Sequence, residues 1–282
     1  MLKSIQKLAL LTTLLFPALI QAWSFSPHFV AAQIAYLDLE TSRKPPPPPA
    51  CPLNPPSSCA DPDVLMDAEN LLSALSNFTR ERYYVFVESA GWMLDTQNRG
   101  FHLMDDWLYV NYPLYADDYE GSRDVDLLMD WNTRAQTTDS LITLGAVEKN
   151  SRINKTLGRS YCLRTLMTMI TEMHSPMHNI NRYSADLPDG DQNGRLYPIY
   201  FSKRKSVKNL YDLWEIGVTF MTDYKVPLSS SRFGRVNKKA KEIMATHTRD
   251  SLAEDLAETS KKAWTEDSYK IARDFAYSGM VD

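Results

Sequence analysis

Near the middle of the chain a carboxylate and two imidazoles stand close together: Glu172, His174 and His178 in LRTLMTMITEMHSPMH, residues 163–178. An i, i+4 histidine pair beside an acid is a spacing that a metal ion can use, since zinc takes imidazole nitrogen and carboxylate oxygen. The same stretch also reads as ordinary core. On a helix, Leu163, Leu166, Met167, Ile170, Met173 and Met177 recur at threes and fours on one apolar side. Tyr161, Thr165, Thr168 and Glu172 line the other side, which is polar yet carries no Lys and no Asp. Other residues of the same chemistry are scattered at long range: His28 in WSFSPHFV, Asp95 in GWMLD, and Glu215 in NLYDLWE.

The elements that must position these groups are helical in pattern. Apolar residues at helical period run through 27–40, 63–87, 125–144, 207–221 and 240–244, and more weakly through 252–276. Alternating strand pattern is scarce, and 190–201 reads as a loop or short hairpin. The expectation is therefore an all-α fold, a single mainly helical domain over residues 23–282. A Pro-rich insertion at 44–58, KPPPPPACPLNPPS, can be neither helix nor central strand and reads as a stiff surface spacer.

Residues 1–22 carry the marks of a signal peptide. Lys3 and Lys7 are followed by the apolar run 8–20 and a small-residue exit at Gln21-Ala22. That run is 13 residues, short against the roughly 20 needed to span a bilayer. Cleavage after Ala22 makes Trp23 the new amino terminus, leaving a secreted protein with no membrane segment. Without Lys3 and Lys7 the chain carries 29 basic and 35 acidic side chains, a net charge of −6. Such a balance excludes a general phosphate-backbone binder, so any nucleic-acid chemistry would draw positive charge from bound metal. In an exported chain Cys51 and Cys59 are the natural disulfide pair, which leaves Cys162 over. Asn77 and Asn154 begin glycosylation sequons.

Taken in order, the pieces beginning at Trp23, Trp92, Trp107, Glu172, the DGDQNG loop (189–194), Asn209 and Ala263 resemble the single-strand-specific zinc nucleases of fungi and plants. Their fold is shared with bacterial zinc-dependent phospholipase C. The resemblance implies a trinuclear zinc cluster whose first ligand is the terminal Trp, and hydrolysis of phosphodiester and 3′-phosphomonoester bonds in single-stranded nucleic acid or nucleotides. It implies metal ligands at Trp23, His28, Asp95, Glu172, His178 and Glu215, with Asp95 and Glu172 as the catalytic acids. Asn193 and Tyr211 are implied in substrate binding.

The departures are specific. Where the family has histidines, this chain has Leu108, Thr168 and Tyr211, and two family aspartates are Glu172 and Glu215. Leu cannot ligate, and Thr is a poor zinc ligand. Clustered zinc activates a water and steadies the leaving oxygen, so a thinned metal set implies weakened hydrolysis. Three readings follow, the third being a structural secreted protein in which the residual ligands are vestigial. One is a secreted zinc-dependent nuclease with reduced metal complement; the alternative is a catalytically inactive relative that binds metal or nucleic acid.

Overall fold

The computed structural model describes residues 24–41, 64–79, 82–123, 155–201, 206–217 and 222–278, with four single positions between 133 and 140. The signal segment, Trp23, the Pro-rich stretch with Cys51 and Cys59, the Asn154 sequon and almost all of 125–144 lie outside them.

The described chain is mainly helical. Its helices are α1 (Phe25–Thr41), α2 (Val64–Thr79), α3 (Phe86–Ser89), α4 (Trp92–Asn98), α5 (Lys155–Met173), α6 (Leu210–Glu215), α7 (Ser230–Thr246), α8 (Ala253–Ala257) and α9 (Lys261–Ile271). A π-helical turn, Ala272–Ala276, continues α9. No helix among the described residues is long and apolar enough to cross a membrane. The strand pair is a departure from the sequence pattern. β1 (Tyr112–Tyr115) and β2 (Ile180–Tyr183) lie parallel, Tyr112 opposite Ile180. Four residues of mixed, half-buried character are too few to show alternation.

α5 packs along α2 and crosses α4, while α1 packs along α7 and touches α3. One continuous set of buried side chains joins them, including Phe29, Leu72, Tyr84, Met93, Leu108, Met169, Met177 and Ile180. α5 is therefore covered on the side that carries its polar residues, while Lys155, Thr156, Tyr161 and Ile170 are exposed. Its polar residues Arg164, Thr165, Thr168 and Glu172 are as buried as Met169 and Met173, and Ile170, on the expected apolar side, is part-exposed. Burying polar groups requires partners. Arg164 finds them across the α2 interface, donating from Nη2 to the Leu72 carbonyl (2.6 Å) and Ser76 Oγ (3.1 Å). Its guanidinium also stands over the Tyr84 and Trp92 rings.

The pattern at 163–178 does not hold as one helix. α5 stops at Met173, and 176–178 form a separate 3-10 turn. Pro176 is the cause: it has no N–H to continue the ladder and it forces Ser175 to extended backbone (φ −87°, ψ 116°). The Asn179 side chain then caps α5, donating to the carbonyls of Met173 (3.1 Å) and Ser175 (2.7 Å).

A buried histidine–glutamate network at the candidate active site

Because the helix breaks at Pro176, His174 and His178 do not share a face, and the i, i+4 pair is no metal site. His174 is exposed, bonded through Nδ1 to the Ile170 carbonyl and packed against Trp264. His178 turns inward and is fully buried. β1 holds it there, since Val110 N donates to the His178 carbonyl (2.9 Å) and Tyr112 N to that of Asn179 (3.1 Å). The missed strand pair is thus what aims the histidine.

Three distant segments meet at Glu172. His28, from the first turns of α1, places Nε2 2.9 Å from Glu172 Oε1, across 144 positions of sequence. His178 Nδ1 stands 2.9 Å from Glu172 Oε2 and hydrogen-bonds the Leu108 carbonyl at 2.8 Å. All three side chains are at or near zero exposure. The Glu172 carboxylate therefore lies between two imidazoles: Oε1 is at hydrogen-bond distance from His28, while Oε2 faces His178 Nδ1, whose hydrogen bond goes to the Leu108 carbonyl, and has no hydrogen-bond partner among the described residues.

The electrostatics follow from that enclosure. Burial pushes the Glu172 carboxyl up, but the positive charge and hydrogen bonds of His178 and His28 overcome it and hold the group down at about 2. Burial likewise opposes charge on His178, yet the Glu172 carboxylate raises the imidazole well above its ordinary value. The result is an imidazolium–carboxylate pair.

On its other side His178 meets phenols. Nε2 lies 3.0 Å from the Tyr211 hydroxyl and 3.5 Å from Glu215 Oε1. Tyr211 OH lies 3.2 Å from Tyr109 OH, which accepts from Arg195 Nη2 at 2.8 Å. Tyr109 stacks on the His178 ring (4.3 Å between centroids), and the Arg195 guanidinium sits 3.4 Å over the Tyr211 ring. Burial first, then Glu215 and Tyr109 against the opposing Arg195, keeps the Tyr211 phenol well above its ordinary range. Burial, only partly offset by His178, raises Glu215 to about 7. Gly194 makes the close approach feasible: φ is +85°, and a Cβ there would meet Met177 Cε at 2.7 Å and Tyr211 N at 3.3 Å.

A sequence model of the S1/P1 nucleases matches residues 60–282. The chain belongs to the S1/P1 nuclease family. No individually curated protein matches it. The matched segment starts after α1, so the His28–Glu172 contact is a separate observation that ties α1 to the S1/P1 site.

The other implied S1/P1 site residues divide. Glu215 and Tyr211 join His28, Glu172 and His178; Asp95 is engaged elsewhere. Its Oδ2 accepts from Arg99 Nη2 at 2.7 Å and from the Tyr84 hydroxyl, with Arg82 Nε at 3.9 Å. Burial and then Asp95 push the Tyr84 phenol up to about 12. Asn193 is buried and spends its amide on Asn111 Oδ1 (2.7 Å) and the Ile180 carbonyl (2.6 Å), at a left-handed φ of +61°. Trp23 lies outside the described residues, beside Ser24, whose hydroxyl donates to the Glu215 carbonyl at 2.7 Å.

The positions where the S1/P1 pattern has histidine are filled by groups facing other work. Leu108 is fully buried in the core, and Thr168 donates its hydroxyl to the Ala90 carbonyl at 2.9 Å. Tyr211 sits on His178 Nε2. Two ligands of one tetrahedral zinc stand about 3.3 Å apart, given bonds near 2.0–2.1 Å. His28–Glu172 at 2.9 Å is closer than that, at hydrogen-bond length. His178–Glu215 at 3.5 Å has the span, and its third neighbour is the Tyr211 phenol, 3.0 Å from His178 Nε2. Among the described residues no group of three or more His, Cys, Asp or Glu is arranged to hold a metal. The described donors do not fit a trinuclear zinc cluster. Arg195 is the residue that sequence reasoning missed; its only signal was a lone cation directly after the DGDQNG loop.

Proposed function

We propose that this is an exported S1/P1 nuclease homologue in which the zinc-dependent hydrolysis of single-stranded nucleic acid and 3′-nucleotides has been silenced, while binding of single-stranded nucleic acid is kept. One observation carries the reading: in a fully buried site His28 Nε2 lies 2.9 Å from Glu172 Oε1 and His178 Nε2 3.0 Å from the Tyr211 hydroxyl, at hydrogen-bond spacing, while Glu172 Oε2 and Glu215 Oε1 have no hydrogen-bond partner among the described residues. A general base or metal ligand must reach the reacting group or the ion, and these side chains are turned onto each other. The retained packing around the site supports a conserved shape: Tyr109 stacks on His178, and Asn209 caps α6 by accepting from Asp212 N at 2.7 Å. The family's substrate class supports single-stranded nucleic acid as the ligand.

The test is zinc content and turnover on the purified mature protein. Denatured DNA, RNA and a 3′-mononucleotide are assayed with added zinc and with chelator, alongside binding of a labelled single strand. The expected result is no zinc-dependent turnover and strand binding that survives chelation. Three zinc ions per chain with chelator-sensitive hydrolysis would overturn the proposal and restore the trinuclear enzyme.

A further inference from the structure

The π-helical turn after α9 carries a tyrosine back into the interior. α9 itself is fixed along its length. Thr265 Oγ1 lies 3.2 Å from the Tyr112 hydroxyl, Ser268 Oγ donates to the Met173 carbonyl at 2.8 Å, and the Tyr269 hydroxyl donates to the Pro113 carbonyl at 3.2 Å. Those partners belong to β1 and the end of α5, the same frame that aims His178. The turn then closes with Tyr277 N donating to the Ala272 carbonyl, five residues back, at 3.0 Å. Ala272, Ala276 and Tyr277 are buried there, and Phe275 is left exposed.

Tyr277 reaches the loop that covers the site. Its hydroxyl donates to Asp191 Oδ2 at 2.6 Å, across 86 positions of sequence. Burial, and then Asp191, pushes the Tyr277 phenol up, which keeps it a donor. Asp191 is fully buried and is the hub of its loop. Oδ1 accepts from Arg182 N at 3.0 Å, Asp191 N donates to the Arg182 carbonyl at 2.8 Å, and the Asp191 carbonyl accepts from Leu196 N at 3.0 Å. Asn193 ties the tip of the loop to Asn111 and to the Ile180 carbonyl. Between these anchors and the exposed Leu196 comes Arg195, the outermost member of the site. It is only half-buried, whereas Tyr211, Tyr109 and His178 beneath it are closed off. Its guanidinium lies over the Tyr211 ring and donates to the Tyr109 hydroxyl.

We infer that Tyr277 and Asp191 form a latch, by which the turn after α9 holds the 189–195 loop, and with it Arg195, shut over Tyr211 and His178. The inference rests on the reading above that this site is closed in the resting protein. Access is then set from outside the site, by one hydrogen bond made at the far end of α9. A buried phenol and a buried carboxyl that part company are each left without water or a substitute, so the latch is stiff while it is made. Once it is broken, the loop keeps its Asn193 anchor and loses the fixed point beside Arg195.

The experiment is amide hydrogen exchange and hydroxyl-radical footprinting of the full mature protein, both read by peptide mass spectrometry. The variants are Tyr277→Phe, which removes only the hydroxyl, and Arg195→Met, which removes the cover and leaves the latch. Tyr277→Phe is expected to speed exchange of the 191–197 amides by about tenfold, the loss of one hydrogen bond to a carboxylate. Oxidation of Tyr109 and Tyr211 should rise with it, while Met169 and Tyr84 in the core stay protected. Arg195→Met is expected to raise oxidation of Tyr211 with the loop amides exchanging as in the wild type. Unchanged loop exchange in Tyr277→Phe would overturn the latch, and unchanged oxidation of Tyr211 in Arg195→Met would overturn Arg195 as its cover. Loss of protection at Met169 and Tyr84 together with the loop would make Tyr277 a prop of the whole core and overturn the inference as well. None of these readouts uses turnover: zinc-dependent hydrolysis by the wild type would sink the proposed function, and the exchange rates would still decide the latch.

Discussion

Two acids that the S1/P1 pattern assigns to one metal cluster have met opposite fates. Glu172 is wholly enclosed and holds its charge beside two imidazoles; Asp95 lies nearer the surface and is paired with arginines, with Arg99 half exposed. A carboxylate freed of metal must either find another cation or stay wet. The deep one could be satisfied only by residues already aimed at it, His28 and His178. The shallow one could recruit long cationic side chains from the rim. At the three positions where the resemblance implies histidine, Leu108 joins the core, Thr168 donates to the Ala90 carbonyl and Tyr211 places its hydroxyl on His178 Nε2.

The comparison breaks most directly at Glu172. Glu172→Ala leaves the buried His178 without its counter-charge and His28 Nε2 without the Glu172 oxygen, and is expected to destabilise the protein by about 3–5 kcal/mol in urea unfolding. A loss under about 1 kcal/mol would mean the network is ornamental.

Next comes pH. Glu172 is held at about 2, so its stabilisation is full above its ordinary 4.5 and is lost as pH falls toward 2. Glu215 is raised to about 7, so its contribution is full below 4.5 and drains away as pH rises through 7. Stability should therefore peak near pH 4.5 and fall across about 4.5 to 7. Glu215→Gln should remove the decline on the alkaline side, a span of up to about 3 kcal/mol, read as Tm against pH. An unchanged alkaline limb in the variant would refute the assignment.

The smallest effect belongs to the outer acid. Asp95→Asn is expected to cost about 1 kcal/mol, because its partner Arg99 is solvent-exposed and the pair is screened. A loss as large as that of Glu172→Ala would erase the contrast between the two acids.

Much of the fold was legible before any coordinates. The 3.6-residue period located α1, α7, the body of α5 and the start of α2, but it overextended α2, expected over 63–87 and found as Val64–Thr79, with 82–85 outside any helix and Val85 exposed. It overextended α6, expected over 207–221 and found as Leu210–Glu215, and it missed β1 and β2, whose pairing is decided by partners 68 positions apart. The candidate site was legible as a set of residue types, and His28, Glu172, His178, Tyr211 and Glu215 do converge. What those residues do to one another was not. That Leu108, Thr168 and Tyr211 stand where the resemblance implies histidine was an expectation of the sequence alone. Whether Glu172 then reached two imidazoles, Asp95 turned to Arg99, or Arg195 closed over Tyr211 depended on distances between helices. Composition and spacing fix which groups a chain owns. Only packing decides which of them share a low-dielectric interior, and there the choice of partner sets charge, proton and function.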